Sequence, residues 1–468
     1  MKIRITFLLI LLLSIASLGA EIHLPSLIAN NMVLQQQSSV KLWGTAKPNS
    51  KVTVVASWSS KCYFTQSDSN GDWLLSIKTP IAGGPFSIVF SDGKAKKIEN
   101  VLIGEVWLCS GQSNMEMPMK GYSGQPVHGA QNTIASADPS LPIRLCKLEK
   151  QKNIQPQSDC KLAWNENNPQ SVREFSSVGY YFALQMQKVL KVPVGIIVSA
   201  WGGSAIESWM DSLSLSQISL VNTPKTNSPI GVNPKNCELY NAMLYPLHNF
   251  KIKGALWYQG EANASNSQKY KKLFPAMVAQ WRNLWGAGDF PFYFAQIAPW
   301  MYSKVDSTES ALQREVQAGF VAEVPNSGMV VTLDTGDPFI IHPRMKREIG
   351  ERFSYLALAK TYGIEGIECQ SPQFNSMKIS KDTIVVDFKF APEGLYSSDK
   401  KILGFEIAGS DYVFKPANAT FISKATKVRL LESSIANPVA VRYGFRNYMP
   451  VSVFNNLGFP LAPFRSDY

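Results

Sequence analysis

Ser113 stands in Ser110-Gly111-Gln112-Ser113-Asn114, directly after the apolar run from Val101 to Cys109. A hydroxyl at the exit of a buried strand is well placed for a nucleophile, because open α/β sheets gather ligands at the carboxyl ends of their strands. A serine is a weak nucleophile until a base takes its proton. The chain offers four histidines: His23, His128, His248 and His342. His23 falls in a β-rich stretch, His128 in a loop, and His248 just before a strand, at its opposite end. His342 alone follows a strand end, so it is the candidate base. An acidic group should orient its ring. Asp337 and Asp334 are both near, and the sequence does not choose between them.

Attack on a carbonyl also requires fixed donors for the developing oxyanion. The backbone N–H of Ser113 is one. Gly203, in Trp201-Gly202-Gly203-Ser204, offers a second, since backbone without a side chain can approach a substrate closely. Gln259 or Asn263, in Gln259-Gly260-Glu261-Ala262-Asn263, offers a side-chain amide. Gly, Ser and Asn are also ordinary turn residues, so none of these segments decides the matter alone. Position 115 is Met, so the Gly-x-Ser-x-Gly elbow is absent. No His, Asp and Glu cluster has ligand spacing, so neither a metal nor another cofactor is expected.

Elements that place these segments together are readable from periodicity. From about Val101, apolar strands (192–200, 252–258, 292–297, 329–333) alternate with segments of helical period (178–190, 270–285, 312–323, 346–362). That alternation predicts a three-layer α/β domain with a parallel sheet over 101–365. Parallel strands would bring the four polar segments to one edge. Residues 21–100 read as a β-sandwich-like module, with Asn70-Gly71-Asp72 as a tight turn between two strands. Residues 366–468 read as a second β-rich module. The stretches 165–170 and 220–235 read as long surface loops, which often border binding sites.

Apolar residues make up 45% of the chain and charged residues 17%, which describes a globular protein, not a disordered one. Lys2 and Arg4 precede the apolar run Phe7 to Leu13, and small residues follow through Ala20. This pattern predicts a secretory signal over 1–20 and a secreted or periplasmic mature chain, an uncleaved anchor being the alternative. The run is too short to span a bilayer, and no later segment is long and apolar enough. Removing Lys2 and Arg4 takes the formal charge from +11 to +9. Such a surface suits anionic substrates, whereas no basic run with interleaved aromatics supports nucleic-acid binding. The six cysteines are scattered; Cys146 and Cys160 are the pair that could bridge, buried free thiols being the alternative.

Four segments in order, GQSNMEMPM, GGSAIESWM, ALWYQGEANA and GDPFIIHPRMKREIGER, resemble the sialate O-acetylesterases, a branch of the SGNH-type hydrolases. LPSLIANNMVLQQ, FEIAGSDYVFKPANATF and PVAVRYGFRNY extend the resemblance over residues 24–465. It implies an SGNH-like central domain and hydrolysis of acetyl esters on sugars, typically O-acetylated sialic acid. It matches Ser113 to the nucleophile and His342 to the base. Gly203 and Gln259-Gly260-Glu261 match oxyanion and substrate-side elements; Gln112 and Asn263 stand beside them as further candidate oxyanion or substrate-binding residues. Many SGNH enzymes carry the acid three positions before the histidine. Here that position is Phe339, so Asp337, Asp334 or a backbone carbonyl must serve. Arg314 is a candidate for binding a sialic acid carboxylate, against the plain reading of a solvated helix residue. Two rival functions remain: an esterase for acetylxylan or another plant glycan, and a catalytically silent glycan-binding protein.

Overall fold

The computed structural model describes residues 22–218, 224–229 and 231–467. The expected signal segment lies outside them. The molecule is a mixed α/β structure with one large mixed sheet and further β-rich sheets on either side in sequence.

The central strands are β1 (Ala95–Gly111), β2 (Ile143–Leu148), β3 (Leu162–Glu166), β4 (Val194–Ala200), β5 (Gly254–Tyr258), β6 (Phe292–Ala295) and β7 (Ser327–Val330). They lie in the order β7-β6-β5-β1-β4-β2-β3. All neighbours run parallel except β2 and β3. Both faces are apolar, as parallel sheets require. Successive side chains alternate between two cores: Val106, Leu108, Ala255 and Trp257 enter one, while Trp107, Cys109, Leu256 and Tyr258 enter the other.

Among the helices are α1 (Ser113–Glu116), α2 (Ser177–Leu190), α3 (Ser267–Trp285), α4 (Glu309–Glu323) and α5 (Lys346–Leu356). Leu273, Phe274 and Trp281 of α3 and Phe320 of α4 fill the first core. Phe182 of α2 and Phe353 of α5 fill the second. Thus each helix pair covers a different face.

Strand β1 is the spine. Its first half pairs with Val33–Gln35 and Gly83–Ser91 of the N-terminal β region. Its second half pairs with β4 and β5. The position expected to separate two modules, near residue 100, therefore falls inside one continuous strand. The Asn70-Gly71 turn does not close a hairpin. Cys62–Gln66 pairs with Lys51–Ala56, whereas Asp72–Lys78 crosses to pair with Ser39–Thr45. Asp68 Oδ1 holds this crossing by accepting from the N–H groups of Asn70 (2.8 Å) and Asp72 (2.9 Å).

Residues 165–170, expected to be loop, hold the end of β3 and the start of a helix, Pro169–Glu174. Beyond α5 the strands are antiparallel. Their apolar core includes Val331 and Leu333, just past β7, so the C-terminal β region packs on the base of the His342 loop. Cys146 and Cys160 are both buried free thiols.

Candidate active site

The end of β1 is shaped by Gly111. Its φ is +136°, and a Cβ there would lie 2.1 Å from the Tyr258 carbonyl oxygen. Only glycine lets β1 and β5 approach so closely at that φ. The Gln112 N–H donates to the Tyr258 carbonyl (3.0 Å) and the Trp201 N–H to that of Gly111 (3.0 Å). The exits of β1, β4 and β5 are thereby stitched into one edge. Ser113 then opens α1 beside an open cleft of about 740 Å³, which Gln112, Gly203, Glu261 and His342 also line.

His342 reaches this cleft from the loop after β7. Its Nδ1 lies 2.6 Å from Gln125 Oε1. An amide oxygen only accepts, so Nδ1 carries the proton and Nε2 keeps its lone pair. Tyr122 packs edge-on against the imidazole, with ring centroids 5.0 Å apart, and its hydroxyl donates to the Ser113 carbonyl (3.2 Å). Burial, followed by the charge of Lys346, pushes the His342 pKa down to about 4. The ring is therefore neutral, and able to accept a proton, across the whole physiological range.

Both aspartates considered from sequence bond to other groups than that ring. Asp334 forms a two-pronged pair with Arg352 (2.8 and 2.7 Å), which also donates to the Val331 carbonyl. Asp337 Oδ1 accepts from the N–H groups of Phe339 and Ile340 and so caps the turn before the histidine. Both shape the loop. Its ring partner is Gln125, which sequence reasoning missed because an amide in a loop has no diagnostic spacing.

Asn114 lies beneath the Ser113 turn. Its Nδ2 donates to Glu261 Oε1 (2.5 Å) and to the Ile341 carbonyl (3.2 Å), and its Oδ1 accepts from Lys346 Nζ (2.5 Å). Burial drives both charged partners toward neutrality: Lys346 falls to about 7 and the Glu261 carboxyl rises. Gln112 Oε1 accepts from the Gly260 and Ala262 N–H groups (3.4 and 3.2 Å), clamping the same segments.

The Gly202-Gly203 turn is tied to α1. Glu116 Oε2 accepts from the Gly202 N–H (2.6 Å), while its Oε1 pairs with Lys150 (2.7 Å). Gly203 has φ +75°, and a Cβ there would lie 3.0 Å from Asn233 Nδ2. Asn233, in the 220–235 stretch read as a site-bordering loop, also lines the cleft.

Gln259 and Asn263 face elsewhere. Gln259 Nε2 donates to the Ser204 carbonyl (3.2 Å) and to Asn263 Oδ1 (2.8 Å). Asn263 Nδ2 in turn donates to Glu207 (3.0 Å). They brace the β4 and β5 exits from behind. Arg314 is not solvated either. It is fully buried, donating to Ser310 Oγ (3.0 Å) and to the carbonyls of Gly444 and Arg446, so it locks α4 to the C-terminal β region. Among the described residues no group of three or more His, Cys, Asp or Glu side chains is arranged to hold a metal ion.

The family model for carbohydrate esterases described as sialic acid-specific acetylesterases matches residues 103–355, which carry both Ser113 and His342. The chain belongs to this family. It is a carboxylic ester hydrolase. The esterase is 28% identical to the sialate O-acetylesterase of Homo sapiens over 92% of its own length and 89% of that protein's. It is 26% identical to that of Mus musculus, over 92% and 91%. A solved carbohydrate acetylesterase from Xanthomonas citri superposes with a TM-score of 0.86 at 33% identity, covering 96% of this chain and all of the other. No helix of the esterase's described residues is long and apolar enough to cross a membrane.

Proposed function

We propose that this esterase removes O-acetyl groups from sialic acids through an acetyl-serine intermediate, on an SGNH-type, three-layer α/β/α domain spanning about 101–365. Ser113 Oγ attacks the acetyl carbonyl carbon while His342 Nε2 takes its proton. The tetrahedral oxyanion accepts hydrogen bonds from the N–H groups of Ser113 and Gly203. Asn233, the side-chain amide at the cleft, takes the role expected of Gln259. Collapse expels the sugar oxygen, which receives the proton from His342. Water, deprotonated by His342, then attacks the acetyl-serine and frees acetate.

The observation that carries this reading is the shared cleft: Ser113 and His342 line it together, and Gln125 fixes the imidazole with Nε2 unprotonated. Gln125 takes the orienting role in place of Asp337 or Asp334, giving a Ser–His pair steadied by a neutral amide. Export of the mature chain belongs to the same proposal and rests on the basic, apolar and small-residue order of residues 1–20.

Acetate release from O-acetylated sialic acid is the direct test. Ser113→Ala should lower kcat/KM by about 10⁴-fold or more, on both the sugar and a small acetyl ester. Wild-type protein inactive on every acetyl ester would return the chain to a glycan-binding role. A second substrate reading has one specific support, the Xanthomonas citri neighbour, described more broadly as a carbohydrate acetylesterase. Faster release from acetylxylan than from O-acetylated sialic acid would favour it.

A further inference from the structure

With Arg314 sealed in the core, the carboxylate of an acidic sugar must be met by another group. A second open cavity of about 740 Å³ adjoins the catalytic cleft. The two share one wall, Tyr122. One side of that residue touches the His342 ring and the Ser113 carbonyl. Anything in the second cavity therefore sits one side chain away from the reacting groups.

The lining of this cavity suits an acidic sugar. Lys120 and Arg173 supply cations, Gln131 and Asn132 supply amides for hydroxyl groups, and Val127 and Ile134 give an apolar floor. Both cations pair with a single carboxylate, Glu174, at 2.6 and 3.4 Å. Two cations on one anion leave a net positive charge. Lys147 adds to it, donating to the Glu174 carbonyl (3.1 Å). Toward the catalytic cleft Lys150 is paired one to one with Glu116, so the excess positive charge stays with the second cavity. The side chains of Lys120, Arg173 and Glu174 are 41%, 57% and 50% exposed, so they can re-pair with an incoming carboxylate without leaving water. A guanidinium beside an ammonium offers both a two-pronged and a point-charge contact to that group.

We propose that this second cavity is a substrate subsite in which Lys120 and Arg173 bind the carboxylate of the acidic sugar while its acetyl ester lies at Ser113. The inference rests on the sialate esterase reading and says where in the protein the acid group is recognised.

The test compares the Lys120→Met/Arg173→Met double variant with wild type on three esters: O-acetylated sialic acid, the methyl ester of its carboxyl group, and 4-nitrophenyl acetate. KM for the free acid should rise about tenfold or more in the variant, with kcat nearly unchanged. Activity on 4-nitrophenyl acetate should stay at the wild-type level, which also verifies folding. Wild type should handle the methyl ester as poorly as the variant handles the free acid, and the variant should lose nothing further on it, because both changes remove one interaction. Glu174→Gln, which removes the competing anion, should lower KM for the free acid. An unchanged KM for the acid in the double variant overturns the proposal, as does an equal loss on the acid and its methyl ester. If wild type cleaves 4-nitrophenyl acetate and acetylxylan but not O-acetylated sialic acid, the function reading itself fails and takes the subsite with it. If wild type does cleave the sialic acid ester, the variants alone decide.

Discussion

Lys346 Nζ donates to Asn114 Oδ1 across 2.5 Å, joining the first turn of α5 to the residue after Ser113. The same asparagine donates to Glu261 and to the backbone beside His342. One neutral amide therefore fixes three of the four strand exits against one another. A buried, fully enclosed ammonium is costly unless it is paired and hydrogen-bonded, and here its charge also acts on the imidazole. Lys346 is charged below about pH 7 and opposes protonation of His342, whose pKa is about 4. The acid limb of wild-type kcat/KM should accordingly lie near pH 4. In Lys346→Met that limb should move up in pH, yet stay below the ordinary 6.5, because burial is the larger cause of the shift. A pH–rate profile on a small acetyl ester checks this, and a limb that stays put or moves down contradicts it.

The same two groups give the fold a pH signature. Unfolded, Lys346 holds its proton up to about its ordinary 10.5, whereas folded it releases it near 7. The unfolded state thus binds more protons in that window, so stability from this residue is lowest below pH 7 and grows toward pH 10.5. His342 likewise has a depressed folded pKa. Its contribution is present above 6.5 and lost as pH falls toward 4. Urea unfolding between pH 7 and 10 should show a rising slope that is diminished in Lys346→Met.

Gln125 should act on orientation and tautomer. Gln125→Ala removes the acceptor at Nδ1, and the loosened ring should cost up to about 10²-fold in kcat. Gln125→Glu keeps an acceptor but adds a charge, which favours the imidazolium. The acid limb of kcat/KM should then rise by about one pH unit or more while much of kcat survives. An unaltered limb in Gln125→Glu would show that this side chain does not face the ring in solution.

Asp334 separates a structural from a catalytic acid. Its pair with Arg352 is nearly enclosed, the two side chains being 8% and 9% exposed. Breaking a buried pair by removing one charge costs about 3–5 kcal/mol, so Asp334→Asn should unfold at markedly lower urea. Its kcat at 25 °C, well below the unfolding transition, should remain within a few-fold of wild type. A loss of about 10⁴-fold in a folded variant would instead make Asp334 the orienting acid.

The legible part of this molecule was the part written in periodicity. Buried strands such as Gly254–Tyr258 and amphipathic helices such as Ser177–Leu190 show their period, and parallel order then brings Ser113 and His342 to one edge. Features set by long-range pairing were not legible. Lys346 stands at a helix start with no local sign of burial, yet it is fully buried, because Asn114 and Glu261 arrive from 232 and 85 positions away. Gln125 and Asn233 carry no spacing signature. The helix Pro169–Glu174 does carry a sequence signal: Asn168 accepts from the Ser171 N–H (3.0 Å) as its cap, and Pro169 begins it. The polar composition around it reads as loop only if that cap is ignored.

Gly203 allows the oxyanion assignment to be tested against simple turn geometry. At φ +75° any L side chain is strained, and a Cβ would press on the Asn233 amide at 3.0 Å. Gly203→Ala should therefore displace both the Gly203 N–H and Asn233, two of the three donors proposed for the oxyanion. Losing one such donor costs about 10²–10³-fold in kcat. Because these donors act on charge that develops only in the transition state, KM should change little while kcat and kcat/KM fall together. Strain alone predicts another pattern: a lower unfolding midpoint with kcat near wild type at 25 °C. Steady-state kinetics and urea unfolding on the same preparation tell the two apart, and a variant that is less stable yet fully active would remove Gly203 from the catalytic machinery.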